Sequence, residues 1–247
     1  MNRLGKGRLG FVSTTTLAIL AVLLASCAPA TMPPRNECVV LLHGLGRSAA
    51  SMSWLAQRLT AAGFQTVSLD YPSQALPIET LAANLADPIA QACNGTLTKL
   101  HLVGHSLGGI LIRLYLQQHR PVNLGRVVML SPPNQGSELA DQLKENPFYR
   151  YATGPAGQQL GTAPDSLPNR LGAVDFELGV ITGNRSLNPV FSAWILGEDD
   201  GKVSVALSKV TGMADFLVVA HSHTWIMNSA EVAEQTVYFL EQGYFRR

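Results

Sequence analysis

Charged side chains are scarce: Asp, Glu, Lys and Arg make up 14% of the 247 residues, against roughly 25% in an average soluble protein. The 18 basic and 17 acidic residues nearly cancel, and no window gathers Lys and Arg into a run. A phosphate backbone would find no cationic track to follow, so no nucleic-acid partner is expected. Long apolar runs are missing as well. The nearest to one, Leu17 to Ala25, is nine residues, well short of the roughly 20 that span a bilayer, which argues against a permanent transmembrane helix. Cysteine is limited to three residues, an odd number for an exported chain to accommodate. Hydrophobic residues are plentiful at 47%. That excludes intrinsic disorder, and the length suits one α/β core.

Arg3, Lys6 and Arg8 precede the apolar run with no acid among them, the order of a secretory signal. Leu24-Ala25-Ser26-Cys27 comes next and is similar to the bacterial lipobox, in which the Cys is lipidated and becomes the first mature residue. An ordinary cleavage site near Ala28 or Ala30 is the alternative. The reading is therefore residues 1–26 as a lipoprotein signal peptide, 27–37 as a Pro-rich membrane tether and 38–247 as the folded domain. Ala28, not Asp, stands second in the mature chain, so an outer-membrane or periplasmic-side anchor is expected in a Gram-negative cell. Lipidation of Cys27 leaves Cys38 and Cys93 to form a disulfide, with two buried thiols as the alternative.

Apolar runs recur at Cys38 to Leu42, Gln65 to Leu69, Lys99 to Val103, Arg126 to Leu130, Leu178 to Thr182 and Phe216 to Ala220. Runs such as Val39-Val40-Leu41-Leu42 lack polar alternation, as strands covered on both faces do. Helical segments at about Ser51 to Ala62, Ile78 to Ala92, Leu107 to His119 and Ala230 to Glu241 supply the crossovers that parallel pairing requires. The interval from Ser131 to Glu177 is longer than a crossover needs. It reads as a lid insertion over one end of the sheet, at about 134–172, the alternative being an irregular helix and loop.

Two glycine motifs compete. Gly44-Leu45-Gly46-Arg47-Ser48-Ala49 succeeds the first strand, and Asp70 closes the second, an outline of a dinucleotide fingerprint. The other motif is Gly104-His105-Ser106-Leu107-Gly108 between a strand and a helix, the pattern of a nucleophile elbow. Small residues are needed there because Ser106 must take a strained conformation where strand and helix crowd together. The elbow also gives the first glycine motif a different task. An oxyanion hole requires a second N–H from an earlier loop, so Leu45 joins Leu107 as the expected donors, with His43 bracing that loop. A serine hydroxyl needs a base, and the acid and His come after the Ser in chain order in this fold. His223 is chosen over His221, and Asp200 over Asp199.

With these residues placed, the chain resembles the α/β-hydrolase superfamily, and more closely its bacterial lipase and esterase branch, from Cys38 to the C-terminus. The likeness rests on His43-Gly44-Leu45-Gly46, on Gly104 to Gly109, and on Asp200-Gly201-Lys202-Val203-Ser204, which is similar to the segment around the catalytic Asp of bacterial lipases. It implies a reduced, mostly parallel sheet of about six strands with helices on both faces, because only a Pro-rich segment precedes the first strand. It further implies hydrolysis of carboxylic esters, small or lipid-like, by Ser106, His223 and Asp200 through an acyl-enzyme. No metal and no cofactor are expected. Phe148, Tyr149, Tyr151 and Leu160 of the lid are the expected acyl contacts. Acyl transfer or thioester cleavage with the same triad, and a catalytically silent binding lipoprotein, remain open alternatives.

Overall fold

The computed structural model describes residue 1, residues 33–93 and residues 97–247. Cys27, the lipobox and most of the tether lie outside the described residues, and the sheet and helices all belong to the unit Met32–Arg247. Six strands form one sheet: β1 (Glu37–Leu42), β2 (Gln65–Leu69), β3 (Lys99–His105), β4 (Leu124–Leu130), β5 (Leu178–Gly183) and β6 (Asp215–Val219). They lie in the order β2-β1-β3-β4-β5-β6, and every neighbouring pair is parallel. Successive side chains of a strand face opposite sides. Val39 and Leu41 of β1 accordingly pack with Leu55, Leu59 and Phe239, while Val40 and Leu42 pack with Leu81, Ile110 and Leu111. Both faces of β1 are covered, which is why it reads as an unbroken apolar run.

The helices are α1 (Ser53–Ala61), α2 (Ile78–Ala83), α3 (Ala86–Ala92), α4 (Leu107–Gln118), α5 (Glu138–Leu143), α6 (Pro147–Gln158), α7 (Leu167–Arg170), α8 (Pro189–Ser192) and α9 (Ala230–Gln242). Two differ from the sequence reading. The first crossover begins as a tight 3-10 turn, Ala49–Met52, before α1. The expected helix from Ile78 to Ala92 is broken at Asn84 and Leu85, because Pro88 has no N–H to give the Asn84 carbonyl and its ring crowds that group. Helix α4 is buried from Leu107 to Leu116, as a circumference apolar on nearly every side requires. A disulfide joins Cys38 to Cys93, 55 positions apart. Closing a loop of that length removes about 4 kcal/mol of unfolded-chain entropy in the loop model.

The insertion between β4 and β5 folds as α5, α6 and α7. Arg113 of the buried helix α4 fastens both of its ends, donating from Nη1 to the Asn134 carbonyl at 2.7 Å and from Nη2 to the Gly172 carbonyl at 2.6 Å. All functional loops, after β1, β3, β4, β5 and β6, leave the carboxyl edge of the sheet. That edge is where ligands bind in open parallel sheets.

Candidate active site

Ser106 sits between the end of β3 and the start of α4 with φ 52° and ψ −118°. An L-residue holds that conformation only where its surroundings enforce it. Here the enforcement is close packing: a Cβ on Gly108 would lie 2.5 Å from the Leu42 carbonyl oxygen, and one on Gly104 would lie 2.6 Å from the Gly108 backbone. The Ser106 N–H donates to the Leu130 carbonyl at 2.9 Å, fixing the bend against the neighbouring strand. Its side chain turns toward the loop after β6.

From that loop, His223 Nε2 lies 3.0 Å from Ser106 Oγ, and its Nδ1 lies 2.8 Å from Asp200 Oδ2. The carboxylate accepts from Nδ1–H, which leaves Nε2 to accept from the serine hydroxyl. Ser106 is 9% exposed, and His223 and Asp200 are buried. The two loops are also tied to each other, since the His223 N–H donates to the Asp200 carbonyl at 2.9 Å. Asp200 Oδ1 accepts from the N–H groups of Lys202, at 3.0 Å, and Val203, at 2.9 Å. Burial pushes the Asp200 carboxyl up, but His223, the Ser131 hydroxyl and the Val203 N–H outweigh it and hold the acid below the usual carboxylate range.

The alternatives are engaged elsewhere. Asp199 Oδ1 accepts from Ser192 Oγ at 2.9 Å and from the Gly201 N–H at 2.7 Å, and His221 Nε2 meets Ser229 Oγ at 2.7 Å. Asp70, the acid of the dinucleotide outline, accepts from the Ala49 N–H at 2.9 Å and so caps the turn after β1. His43 is buried, stacks on Tyr71 and donates from Nδ1 to the Gly44 carbonyl at 2.8 Å. It braces the loop that carries Leu45. Leu107 opens α4, where the first N–H groups have no partner within the helix.

His105, fully buried by its surroundings, is a site residue that sequence reading passed over. Its Nε2–H donates to the His223 carbonyl at 2.9 Å, so it supports the loop that presents His223. Desolvation first, and then the neighbouring His223, hold its pKa well below the ordinary histidine value, so it is a neutral donor.

Above Ser106 opens a cavity of about 380 Å³. Leu45, Leu139, Leu143, Tyr149, Leu160 and Phe191 give it an apolar wall. Of the four expected acyl contacts, Tyr149 and Leu160 line the cavity, whereas Phe148 and Tyr151 are 79% and 88% exposed. The reason is helical phase. Tyr149, Ala152 and Thr153 of α6 line the cavity, an i, i+3, i+4 set, so positions 148 and 151 fall on the opposite side. Leu139, Leu143 and Phe191 were not anticipated; they come from short helices whose periodicity is too brief to read.

The putative carbamate hydrolase RutD of Variovorax paradoxus is 33% identical over 114 residues, 42% of each chain, so the matched segment spans less than half of that protein. In fold, the chain is similar to the mature lipase BlEst2 of Bacillus licheniformis, with a TM-score of 0.62, 20% identity and coverage of 87% of this chain and 93% of that one. It is also similar to phospholipase PlaB of Legionella pneumophila, with a TM-score of 0.61, 19% identity and coverage of 83% and 62%. The alpha/beta hydrolase family profile matches residues 39–234, from β1 into the last helix and across every loop that builds this site, and the chain belongs to that family.

Proposed function

We propose that the protein is a serine hydrolase that cleaves carboxylic esters through an acyl-enzyme on Ser106. The observation that carries this reading is the continuous hydrogen-bonded line from Ser106 Oγ through His223 to Asp200, at 3.0 and 2.8 Å, at the floor of a cavity with one apolar side. His223 Nε2 takes the hydroxyl proton as Oγ bonds to the substrate carbonyl carbon, and Asp200 stabilises the resulting imidazolium. The Leu45 and Leu107 N–H groups receive the oxyanion, each such donor being worth about 10²–10³ in rate. The C–O bond to the alcohol then breaks, with the alcohol leaving on the proton from His223. A water repeats the sequence on the acyl-enzyme and releases the acid. The 3.0 Å contact between Ser106 and His223 disfavours a silent scaffold.

The leader belongs to the same proposal: the run Leu17 to Ala25 with Cys27 just beyond it supports export and lipid anchoring, with the Pro-rich segment holding residues 38–247 near a membrane. For the catalytic reading, Ser106→Ala is expected to abolish p-nitrophenyl ester turnover, a loss of at least about 10³-fold. Retained turnover in that variant would remove Ser106 from the mechanism.

A further inference from the structure

The cavity above Ser106 carries two cations and no acid: Arg47 and Lys202 line it, while no Asp or Glu does. Neither forms an ion pair with a carboxylate among the described residues. The acid nearest in sequence, Asp200, is already committed to His223 and to two backbone N–H groups. The Arg47 guanidinium and the backbone of Lys202 are held in place. Arg47 donates from Nη2 to the Thr224 carbonyl at 2.7 Å, and its guanidinium carbon lies 5.8 Å from the centre of the Trp225 ring. The Lys202 carbonyl accepts from Ser137 Oγ at 2.7 Å, which ties the lysine's loop to the start of the lid.

Two like charges facing one cavity repel each other, and a low-dielectric wall strengthens the repulsion. The Lys202 ammonium, on a side chain exposed overall, is pushed below the usual lysine range by desolvation and then by Arg47, with Asp200 opposing. An anion between them would relieve that repulsion and take up the N–H groups of Arg47 that Thr224 leaves over. Leu45, Leu139, Leu143, Tyr149, Leu160 and Phe191 give the same cavity an apolar side, with Gln74, Ser137 and Thr153 as neutral polar groups. An occupant that satisfies both parts is amphiphilic, with an acyl chain against Leu139, Leu143 and Leu160 and a negative group beside the two cations.

Building on the serine-hydrolase reading, we propose that Arg47 and Lys202 form an anion subsite, and that the substrate is an ester bearing a carboxylate or phosphate close to the scissile carbonyl. The anion selects the substrate and takes no part in bond making. It can sit on the acyl side or on the alcohol side, and two matched pairs separate these sources. On the acyl side, p-nitrophenyl hydrogen adipate is compared with p-nitrophenyl hexanoate. On the alcohol side, hexanoylglycerol phosphate is compared with monohexanoylglycerol.

In the full-length protein, kcat/KM is expected to favour the anionic member of at least one pair by about tenfold or more, a difference of about 1.4 kcal/mol. The preference should shrink as salt rises, since exposed charges are screened within about 8 Å at physiological ionic strength. Lys202→Glu, a change on an exposed side chain, should reverse it. Arg47→Gln should lower it, with the same direction of change serving as the check where the charge reversal upsets folding. Equal turnover within both pairs, or a preference that neither variant alters, would overturn the subsite while leaving the hydrolase reading intact. Absence of turnover for all four esters, together with no covalent labelling of Ser106 by a fluorophosphonate, would overturn both.

Discussion

At the scale of single residues, catalytic competence depends on protonation states that the fold sets in advance. Asp200 is buried yet held ionised by His223, Ser131 and the Val203 N–H, so at neutral pH it is a carboxylate acting on Nδ1–H. Asp200→Asn keeps the size and removes the charge. The amide then favours the imidazole tautomer that carries its proton on Nε2, where it cannot accept from Ser106. The expected outcome is a fall in kcat of about 10⁴-fold with an unchanged far-UV spectrum and little change in KM. A loss of less than tenfold would mean that the carboxylate does not orient the base. This residue was legible in sequence because the chain order of the fold confined the search to one loop. Arg47 and Lys202 were not, because residues far apart in the chain meet only once the sheet has brought the loops after β1 and β5 to one edge.

At the scale of elements, the lid shows what pattern reading can and cannot recover. Its presence was readable from an interval too long for a crossover, but its inner wall was not. Helices α5 and α7 are only six and four residues long, too short for an apolar period to declare a face. In α6 the aromatic residues at 148 and 151 drew attention by composition, whereas helical phase turned Tyr149 inward instead. The strands were legible because two covered faces leave an apolar run that no loop imitates. The break between α2 and α3 comes from one proline, a signal present in the sequence and not weighed there. A buried cation fastens both ends of the lid, beside the bonds of Ser137 to the Lys202 carbonyl and of Asn134 to the Ser208 carbonyl. Desolvation lowers the Arg113 pKa to about 10, and its donors reach both ends of the insertion at Asn134 and Gly172. Arg113→Met leaves those carbonyls without their charged donor. It is expected to cost about 2 kcal/mol or more in urea unfolding, and to raise KM more than it lowers kcat, because the lid walls the cavity while the triad lies outside it. Unchanged stability would show that the insertion is held by its apolar contacts and its other hydrogen bonds without Arg113.

At the scale of the whole molecule, buried histidines couple the fold to pH. His43, His101 and His105 are each held below the ordinary value of 6.5, in every case chiefly by desolvation. A histidine with a depressed folded pKa stays neutral in the native state while the unfolded chain protonates. Its contribution is therefore complete above about 6.5 and is lost as pH falls from there toward the folded value, at up to about 1.4 kcal/mol per pH unit for each group. The urea midpoint is expected to be lower at pH 5.5 than at pH 7.5, and an equal or higher midpoint at pH 5.5 would contradict this. The native molecule brings three loops from three strand ends together so that one hydroxyl, one imidazole and one carboxylate lie in hydrogen-bonding line. The most direct test is peptide mass spectrometry of the intact protein after brief exposure to a fluorophosphonate. A single adduct on Ser106 that disappears in His223→Ala is the predicted result; an adduct on another residue, or none while the protein remains folded, would contradict the catalytic account.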